Sequence, residues 1–404
     1  MHRVAITGVG IVSCLGRDLE TVADALRHGR SGIIVDPQRV ELGFRSPLTG
    51  AIEAGQAAGL SRKQRKTMPE FAVWAYASAV DALAHAGLDA AQIQNEHTGL
   101  IYGCDSSCIA AIEQVDALRE RGETKAIGSG QVFRSMTSSV TMNLNTLLKT
   151  RGACWTLSSA CSSGGHAVGQ AADLIRLGRQ ERIICGGAQE VNWESMCSFD
   201  GLGAFSTRVD DPAAACRPFD AARDGLVPSG GAASIVLERY DLAQERDATI
   251  LGEVCGYGFS SDGAQLSIPT EEGLGRAMRG ALDQSGINSA EIDYVCAHAT
   301  STPAGDAAEA QNIKQVFGAA NPPVSSLKSM TGHELWMSGA SQVVYATIMA
   351  QYGFIAPNLN FSCACDAAEG LNVVRETIPH APTKVLCNSA GFGGTNSSLV
   401  LSYS

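Results

Sequence analysis

Cys161 is the residue of this chain best placed to act as a nucleophile. It stands in WTLSSACSSGGHAVGQ, where a short β-type run meets a small-residue stretch and then an apolar, Ala- and Gly-rich helical pattern. A thiol at a helix N-terminus meets unpaired N–H groups and the positive end of the helix dipole, and both favour the reactive thiolate. Ser159, Ala160, Ser162, Ser163 and Gly164 are small enough to let a substrate carbonyl reach the sulfur, as at the nucleophile elbow of hydrolases. Such a thiol needs partners that handle protons. His298 ends the run YVCAHA and is followed by the polar loop TSTPAGD, and His333 follows Ser-Met-Thr-Gly at the opening of a second elbow. Both lie where strands end, the usual place for α/β active sites. His166, in the helix after Cys161, reads as core packing. Lys328 lies in a small, apolar stretch, and a charge buried there needs a carboxylate, which Glu309 or Asp306 would supply. In NSAGFGGTNSSLVL a strand ends, GFGG turns and a strand returns. A nucleotide-binding glycine loop would lead into a helix instead. The turn is therefore expected to present backbone N–H groups, so that those of Cys161 and Phe392 form an oxyanion hole.

The elements that must hold these residues alternate between β-rich runs and helical patterns, which favours an α/β fold with mixed sheets. Helical patterns cover roughly 18–28, 62–86, 164–177, 272–285, 304–317 and 339–351. WTLSSACSSGGHAVGQAADLIRLG and SSLKSMTGHELWMSGASQVVYATIMAQYG repeat one plan of strand, small elbow and apolar helix. The repeat predicts an internal duplication with a seam near residues 240–255, and central positions for both small-sided helices.

Composition narrows the classes. Of 404 residues, 45% are hydrophobic and 18% charged, which excludes a disordered chain. A net charge of −11 excludes general affinity for nucleic acid or an anionic membrane. The 13 cysteines are scattered and include no C-x-x-C pair, so neither a zinc site nor a disulfide framework is expected. Reduced thiols, no run of the roughly 18 apolar residues that a membrane span needs, and a start directly on the strand pattern VAITGVGIVS predict a cytoplasmic protein without a leader.

Several motifs stand in one order along nearly the whole chain: RVAITGVGIVS, SSACSSG, GAFST, RPFDAARDG, GYGFSSDG, HATSTPAGDAAEA, LKSMTGH and NSAGFGGTN. Together they resemble the thiolase-like condensing enzymes, and within them the β-ketoacyl-[acyl-carrier-protein] synthases. VPSGG after Asp224-Gly225 tilts the likeness to the type I side. The resemblance implies a duplicated five-layer α-β-α-β-α fold, with residues 1–245 carrying the cysteine and 246–404 both histidines. It implies that Cys161 accepts an acyl group, while His298 and His333 stabilise the enolate formed as malonyl-acyl-carrier-protein loses CO₂. Lys328 and Glu309 form a supporting charged pair, and Phe392 is both oxyanion donor and gate. Thr300 and Thr302 bind the phosphopantetheine arm, and Gly393 and Gly394 face the substrate. Phe199 and Met196 line the acyl tunnel, with Met136 reaching in across a dimer interface. The likeness implies no metal and no soluble cofactor, since phosphopantetheine arrives on the acyl carrier protein. It implies a homodimer, or a heterodimer with a related subunit.

An acidic carrier needs a basic landing patch on this acidic chain, and SRKQRKTM supplies Arg62, Lys63, Arg65 and Lys66, with Lys125 in a second exposed stretch. The sequence departs from the family's usual pattern at HATST, which places Ala299 beside His298, and at GHELWMSGAS, where Glu334, Trp336 and Met337 replace small residues. Cys104, Asp105 and Cys108 stand where Gly and Ser are usual near the tunnel. These departures bear on acyl preference, so saturated, unsaturated and polyene chains all remain open. Three other readings fit less well. A thiolase would need a second cysteine as base where Phe392 stands, a chain-length-factor-like partner would lack Cys161, and a cysteine hydrolase would need a third residue to orient its histidine.

Overall fold

Strand β1 (Val4–Val12) is buried at all of its positions, so it must be covered on both faces. The computed structural model describes residues 1–52 and 59–404. With β2 (Thr98–Gly103), β3 (Cys154–Leu157), β4 (Arg182–Gln189) and β5 (Gly231–Arg239), β1 forms a sheet ordered β1-β5-β4-β2-β3. The first two pairings are antiparallel and the last two parallel. Strands β6 (Gly252–Ser261), β7 (Tyr294–Cys296), β8 (Val324–Ser325), β9 (Lys384–Gly391) and β10 (Thr395–Ser402) repeat the plan as β6-β10-β9-β7-β8, with the same directions. The first strands of the two sheets meet edge to edge at Ala5–Glu253 and Ile6–Gly252, which joins all ten strands. The expected duplication is thus visible in topology. The seam placed at 245/246 falls in the connection between β5 and β6.

Helices fill three further layers. Helix α1 (Glu70–His85) covers the outer face of the first sheet through Phe71, Trp74 and Leu83, against Leu100, Tyr102 and Val236. Helices α2 (Ser163–Arg176) and α4 (Ser338–Tyr352) lie between the sheets, where Val168, Ile175, Val343 and Ile348 share one core with Ile6, Ile235, Tyr257 and Leu399. Helix α3 (Gly273–Ser285) covers the outer face of the second sheet through Leu274, Met278 and Leu282. Glycines let the outer helices sit directly on the first strands. A methyl group at Gly8 or Gly10 of β1 would come within 2.1 Å of the α1 carbonyls of Ala82 and Ser78, and one at Gly256 or Gly258 of β6 within 2.0 and 1.9 Å of the α3 carbonyls of Ala281 and Ala277.

Several elements differ from the sequence expectation, three of them close to the framework of the site. The helix expected over 62–86 is broken by Pro69, which lacks the N–H a continuous helix needs, leaving a turn at Arg62–Arg65 and then α1. Strand β6 was not expected, because its glycines mask the β pattern. The helix Cys108–Arg121 was also missed, since it buries only Ala110 and so shows no apolar stripe.

At the central crossing helix backbone lies directly on helix backbone. A methyl at Gly339 of α4 would lie 2.3 Å from the Gly165 nitrogen and 2.5 Å from its Cα. Those atoms are backbone and cannot turn aside, so the two helices would have to separate. Gly339→Ala should therefore lower stability by about 2 kcal/mol or more in urea unfolding. A midpoint equal to the parent's would show that the crossing tolerates a side chain.

Candidate active site

The two central helices are entered in the same way. Ala160 (φ 47°) and Leu335 (φ 44°) both take the left-handed conformation, each opens a 3₁₀ turn, Ala160–Ser162 or Leu335–Met337, and each turn runs into a helix that begins Ser-Gly. That conformation costs a residue with a Cβ about 1–2 kcal/mol, so the surroundings must hold it. At the first elbow the Ala160 N–H donates to Asp105 Oδ2 at 3.0 Å, and Ser163 Oγ donates to the Ala160 carbonyl at 2.6 Å. Thr395 Oγ1 donates to the Ser159 carbonyl at 3.1 Å and accepts from Ser162 Oγ at 3.0 Å, which ties the glycine turn to the elbow. In this register Cys161 and Trp336 occupy equivalent places.

The Cys161 sulfur lies 3.1 Å from His333 Nε2, and His333 Nδ1 lies 3.2 Å from Ser338 Oγ. The His298 ring stands edge-on to His333, with centroids 5.2 Å apart and planes at 87°. Burial, aided by the Lys328 ammonium, holds both imidazoles well below their usual pKa, so both are neutral near pH 7. Burial also pushes the Cys161 thiol up to about 12, with Lys328 opposing and Asp105 reinforcing. The expected resting thiolate is thereby corrected, because desolvation outweighs the helix terminus. The resting pair is a thiol donating to a neutral ring at Nε2, which leaves the proton of Nδ1 to donate to Ser338 Oγ.

Glu309 does not meet Lys328 in an ion pair, contrary to the expected direct pairing. Its Oε1 accepts from the His298 N–H at 2.9 Å and from Asn388 Nδ2 at 3.0 Å, and its Oε2 accepts from the Ala299 N–H at 2.5 Å. The carboxylate thus clamps the strand end that carries His298. Among the described residues Lys328 has no carboxylate within 4 Å, and it acts on Glu309, Glu334 and Cys161 at longer range. Asp306 anchors the neighbouring loop instead, accepting from the N–H groups of Ser301 at 3.0 Å and Phe219 at 2.8 Å. His166 bonds the Tyr257 hydroxyl at 2.7 Å and is pushed down to about 4 by burial, as suits a core residue.

A cavity of about 400 Å³ opens onto Cys161, His298 and His333, and its walls include Thr300, Thr302, Phe199, Phe392 and Gly394. The two threonine hydroxyls are 3.1 Å apart. Gly393 and Gly394 have φ of 79° and 71°, which glycine adopts without strain, and Gly393 donates its N–H to the Leu266 carbonyl at 2.7 Å. They turn the chain so that Phe392 stacks on Phe199 at 6.1 Å, and Phe199 on Phe205 at 6.3 Å. Met196 is buried beside Cys161 in the same apolar cluster but does not line the cavity. Met136 is 43% exposed and is not in that cluster, so within its own chain it reaches neither the sulfur nor the cavity. Arg62, Lys63, Arg65, Lys66 and Lys125 are all exposed, and the Lys66 carbonyl packs against Gly130 of the loop that follows Lys125.

Sequence reading singled out neither Ser338 nor Asn388 and gave Asp105 no role. Asn388 and Asp105 act on residues far away in the chain, and Ser338 reaches back to His333 only because of the bend between them, neither of which spacing reveals. Among the described residues no group of three or more His, Cys, Asp or Glu side chains has the geometry to hold a metal, and all 13 cysteines are unpaired. No described helix is long and apolar enough to cross a membrane.

Glu334, next to His333, is buried and accepts from Ser341 Oγ and, at 2.7 Å, from Tyr345 OH. Burial raises it from 4.5 to about 7. Between those pH values the folded chain holds a proton that the unfolded chain has lost, so stability falls as pH rises through this window. Glu334→Gln removes the titration. Its stability relative to the parent should rise by up to roughly 3 kcal/mol between about pH 5 and pH 8 in chemical denaturation. A difference independent of pH would show that Glu334 is ionised throughout.

The fold and this constellation match known proteins. Residues 1–243 match the family described as beta-ketoacyl synthase, N-terminal domain, and residues 251–362 its C-terminal domain. The 3-oxoacyl-[acyl-carrier-protein] synthase 1 of Haemophilus influenzae is 42% identical over 403 residues, spanning 99% of this chain and 98% of its own. A beta-ketoacyl synthase crystal structure from Burkholderia phymatum STM815 superposes with a TM-score of 0.94 at 35% identity, covering all of both chains. A ketosynthase solved in complex with its type II PKS acyl-carrier protein gives 0.91 at 26% identity, again over both whole chains. With its paired histidines facing a buried cysteine at the end of a duplicated thiolase-like core, the chain belongs to the β-ketoacyl synthase family.

Proposed function

We propose that this chain is an acyltransferase that joins an acyl group, carried as a thioester on Cys161, to the two-carbon unit released from malonyl-acyl-carrier-protein. The observation that carries this reading is the 3.1 Å approach of His333 Nε2 to the Cys161 sulfur, with the neutral His298 ring beside it. In the first half-reaction the thiol proton passes to His333 as sulfur attacks the acyl carbonyl. The proton then leaves with the carrier's thiol, and the acyl group stays on Cys161. The N–H groups of Cys161 and Phe392 hold the oxyanion; among the described residues no protein acceptor takes the Phe392 N–H. In the second half-reaction the malonyl carboxylate departs as CO₂, and its electron pair becomes an enolate. The neutral His298 imidazole donates its N–H to that enolate without the desolvation a buried imidazolium would suffer. The enolate carbon attacks the acyl carbonyl, the carbon–sulfur bond to Cys161 breaks, the sulfur takes a proton from solvent, and a β-ketoacyl thioester leaves on the carrier.

Thr300 and Thr302 present their hydroxyls to the arm of the carrier, and Phe392 gates the passage between the two half-reactions. The route needs no metal and no freely diffusing cofactor, because the phosphopantetheine belongs to the partner. Arg62, Lys63, Arg65, Lys66 and Lys125 receive the acidic carrier. The chain works as a homodimer through the edge strand β3, where Trp155 is 39% exposed, and through this contact Met136 reaches the neighbouring tunnel. Thirteen unpaired cysteines fit a reducing, cytoplasmic setting.

Cys161→Ala should abolish condensation while CO₂ release from malonyl-carrier persists; elongation at the parent rate would remove the sulfur from its role. His298→Ala should slow decarboxylation by about 10²–10³ with much less effect on acyl transfer to Cys161, whereas His333→Ala should chiefly slow acyl transfer. Equal losses in both steps for His298→Ala, measured with radiolabelled malonyl and acyl donors, would refute this division of labour. Reversing the charge of Arg62 and Arg65 together should raise the KM for carrier-bound substrate about tenfold or more at low salt and leave kcat nearly unchanged. An unchanged KM would place docking elsewhere.

A further inference from the structure

The cavity reaches the sulfur from the side of the histidines. Its walls run from Thr300 and Thr302 past the histidines to Phe199, and none of Met196, Ser106 and Trp336 lines it. On the other side of Cys161 the space is filled by an apolar cluster that contains Met196, Phe205 and Trp336, with Phe199 packed against it. Trp336 is its largest member, and it takes the place on the second elbow that Cys161 takes on the first.

The indole is held on several sides. Its Nε1–H donates to Ser106 Oγ at 3.1 Å, and that hydroxyl donates in turn to Glu190 Oε1 at 3.3 Å. Glu190 is itself buried, and it is fixed by the Cys108 N–H at 2.6 Å and by Asn192 Nδ2 at 3.0 Å. The Phe199 ring lies 6.3 Å away at 50°. The backbone beneath is equally restrained, since Leu335 is held in the left-handed conformation and the Met337 and Trp336 carbonyls lie against Gly164 of the facing helix. Phe199 and Phe392 are partly exposed and stacked on one another, so they can turn aside into the cavity. The indole, 7% exposed and hydrogen-bonded, has no comparable freedom.

We propose that Trp336 is the specificity-determining residue that ends the acyl compartment, so that the length of chain accepted on Cys161 is set by the indole and its bond to Ser106. The proposal rests on Cys161 being the acyl carrier. An acyl chain bound to that sulfur and directed away from the histidines enters the Met196–Phe199 cluster and meets the indole face. Each further methylene must then displace a well-packed, hydrogen-bonded ring rather than enter open space, and overpacking of that kind is strongly resisted. Shortening the side chain removes the stop, and loss of the Ser106 hydroxyl loosens it.

The test loads the full-length protein with saturated acyl-carrier donors graded from acetyl to palmitoyl. Intact-protein mass spectrometry reads the rate of Cys161 acylation at each length, and thermal melts check that each variant is folded. For Trp336→Ala, the rate with the longest donors relative to acetyl should rise at least about tenfold, and the accepted length should extend by about two to four carbons. Trp336→Leu should fall between, and Ser106→Ala should give a smaller shift in the same direction. Should the alanine variant fail to fold, Trp336→Leu alone decides. A length profile equal to the parent's in whichever Trp336 variant is folded overturns the proposal. If the parent protein itself takes no acyl group on Cys161 from any donor, the proposed function fails instead, and the two failures are distinguished by that one lane.

Discussion

The site depends on two helices that touch backbone to backbone between two sheets. Gly164 and Gly165 face Gly339 and Ala340 so closely that no side chain fits between them. This contact brings two helix entrances within one side chain's reach of each other and places a histidine from one half of the chain on a sulfur from the other. Neither half holds both partners, and the sheets on either side keep water from the contact. Packing at this crossing therefore sets the catalytic distance, and the hydrogen bonds at the elbows refine it.

Burial has a second consequence. It keeps the imidazoles neutral, and it also keeps the thiol protonated, although a helix terminus and the Lys328 ammonium pull the other way. The resting centre is thus without charge on the three groups nearest the reaction, and charge appears only during turnover. Lys328 and Glu309 sit one layer back. The first supplies a positive field at a distance, and the second holds a strand end by its N–H groups.

Much of this was legible in the chain. Cys161, His298 and His333 were recognisable because each stands beside small residues where a strand pattern gives way to a turn or helix, a local pattern that requires no knowledge of the fold. The duplication showed in two similar strand–elbow–helix segments, and the observed strand order confirms it. Less legible were features decided by tertiary contact. The glycine-rich β6 hid its strand character because α3 lies on its glycines. The bond of Glu309 to the His298 backbone and the support of Ala160 by Asp105 join residues that sequence separation does not link, and the tie of Ser338 to His333 depends on the bend between them. The thiol's protonation state was misread because local dipole reasoning carries no measure of desolvation.

The near-twofold relation of the two elbows has a further implication. One corner carries a reactive atom, while its twin has the same bend and a bulky ring at the matching position. Reactivity and capacity are therefore encoded on separate copies of one motif. Drift on the second copy can retune what the protein admits while the first copy, and the bond it makes, stays as it was.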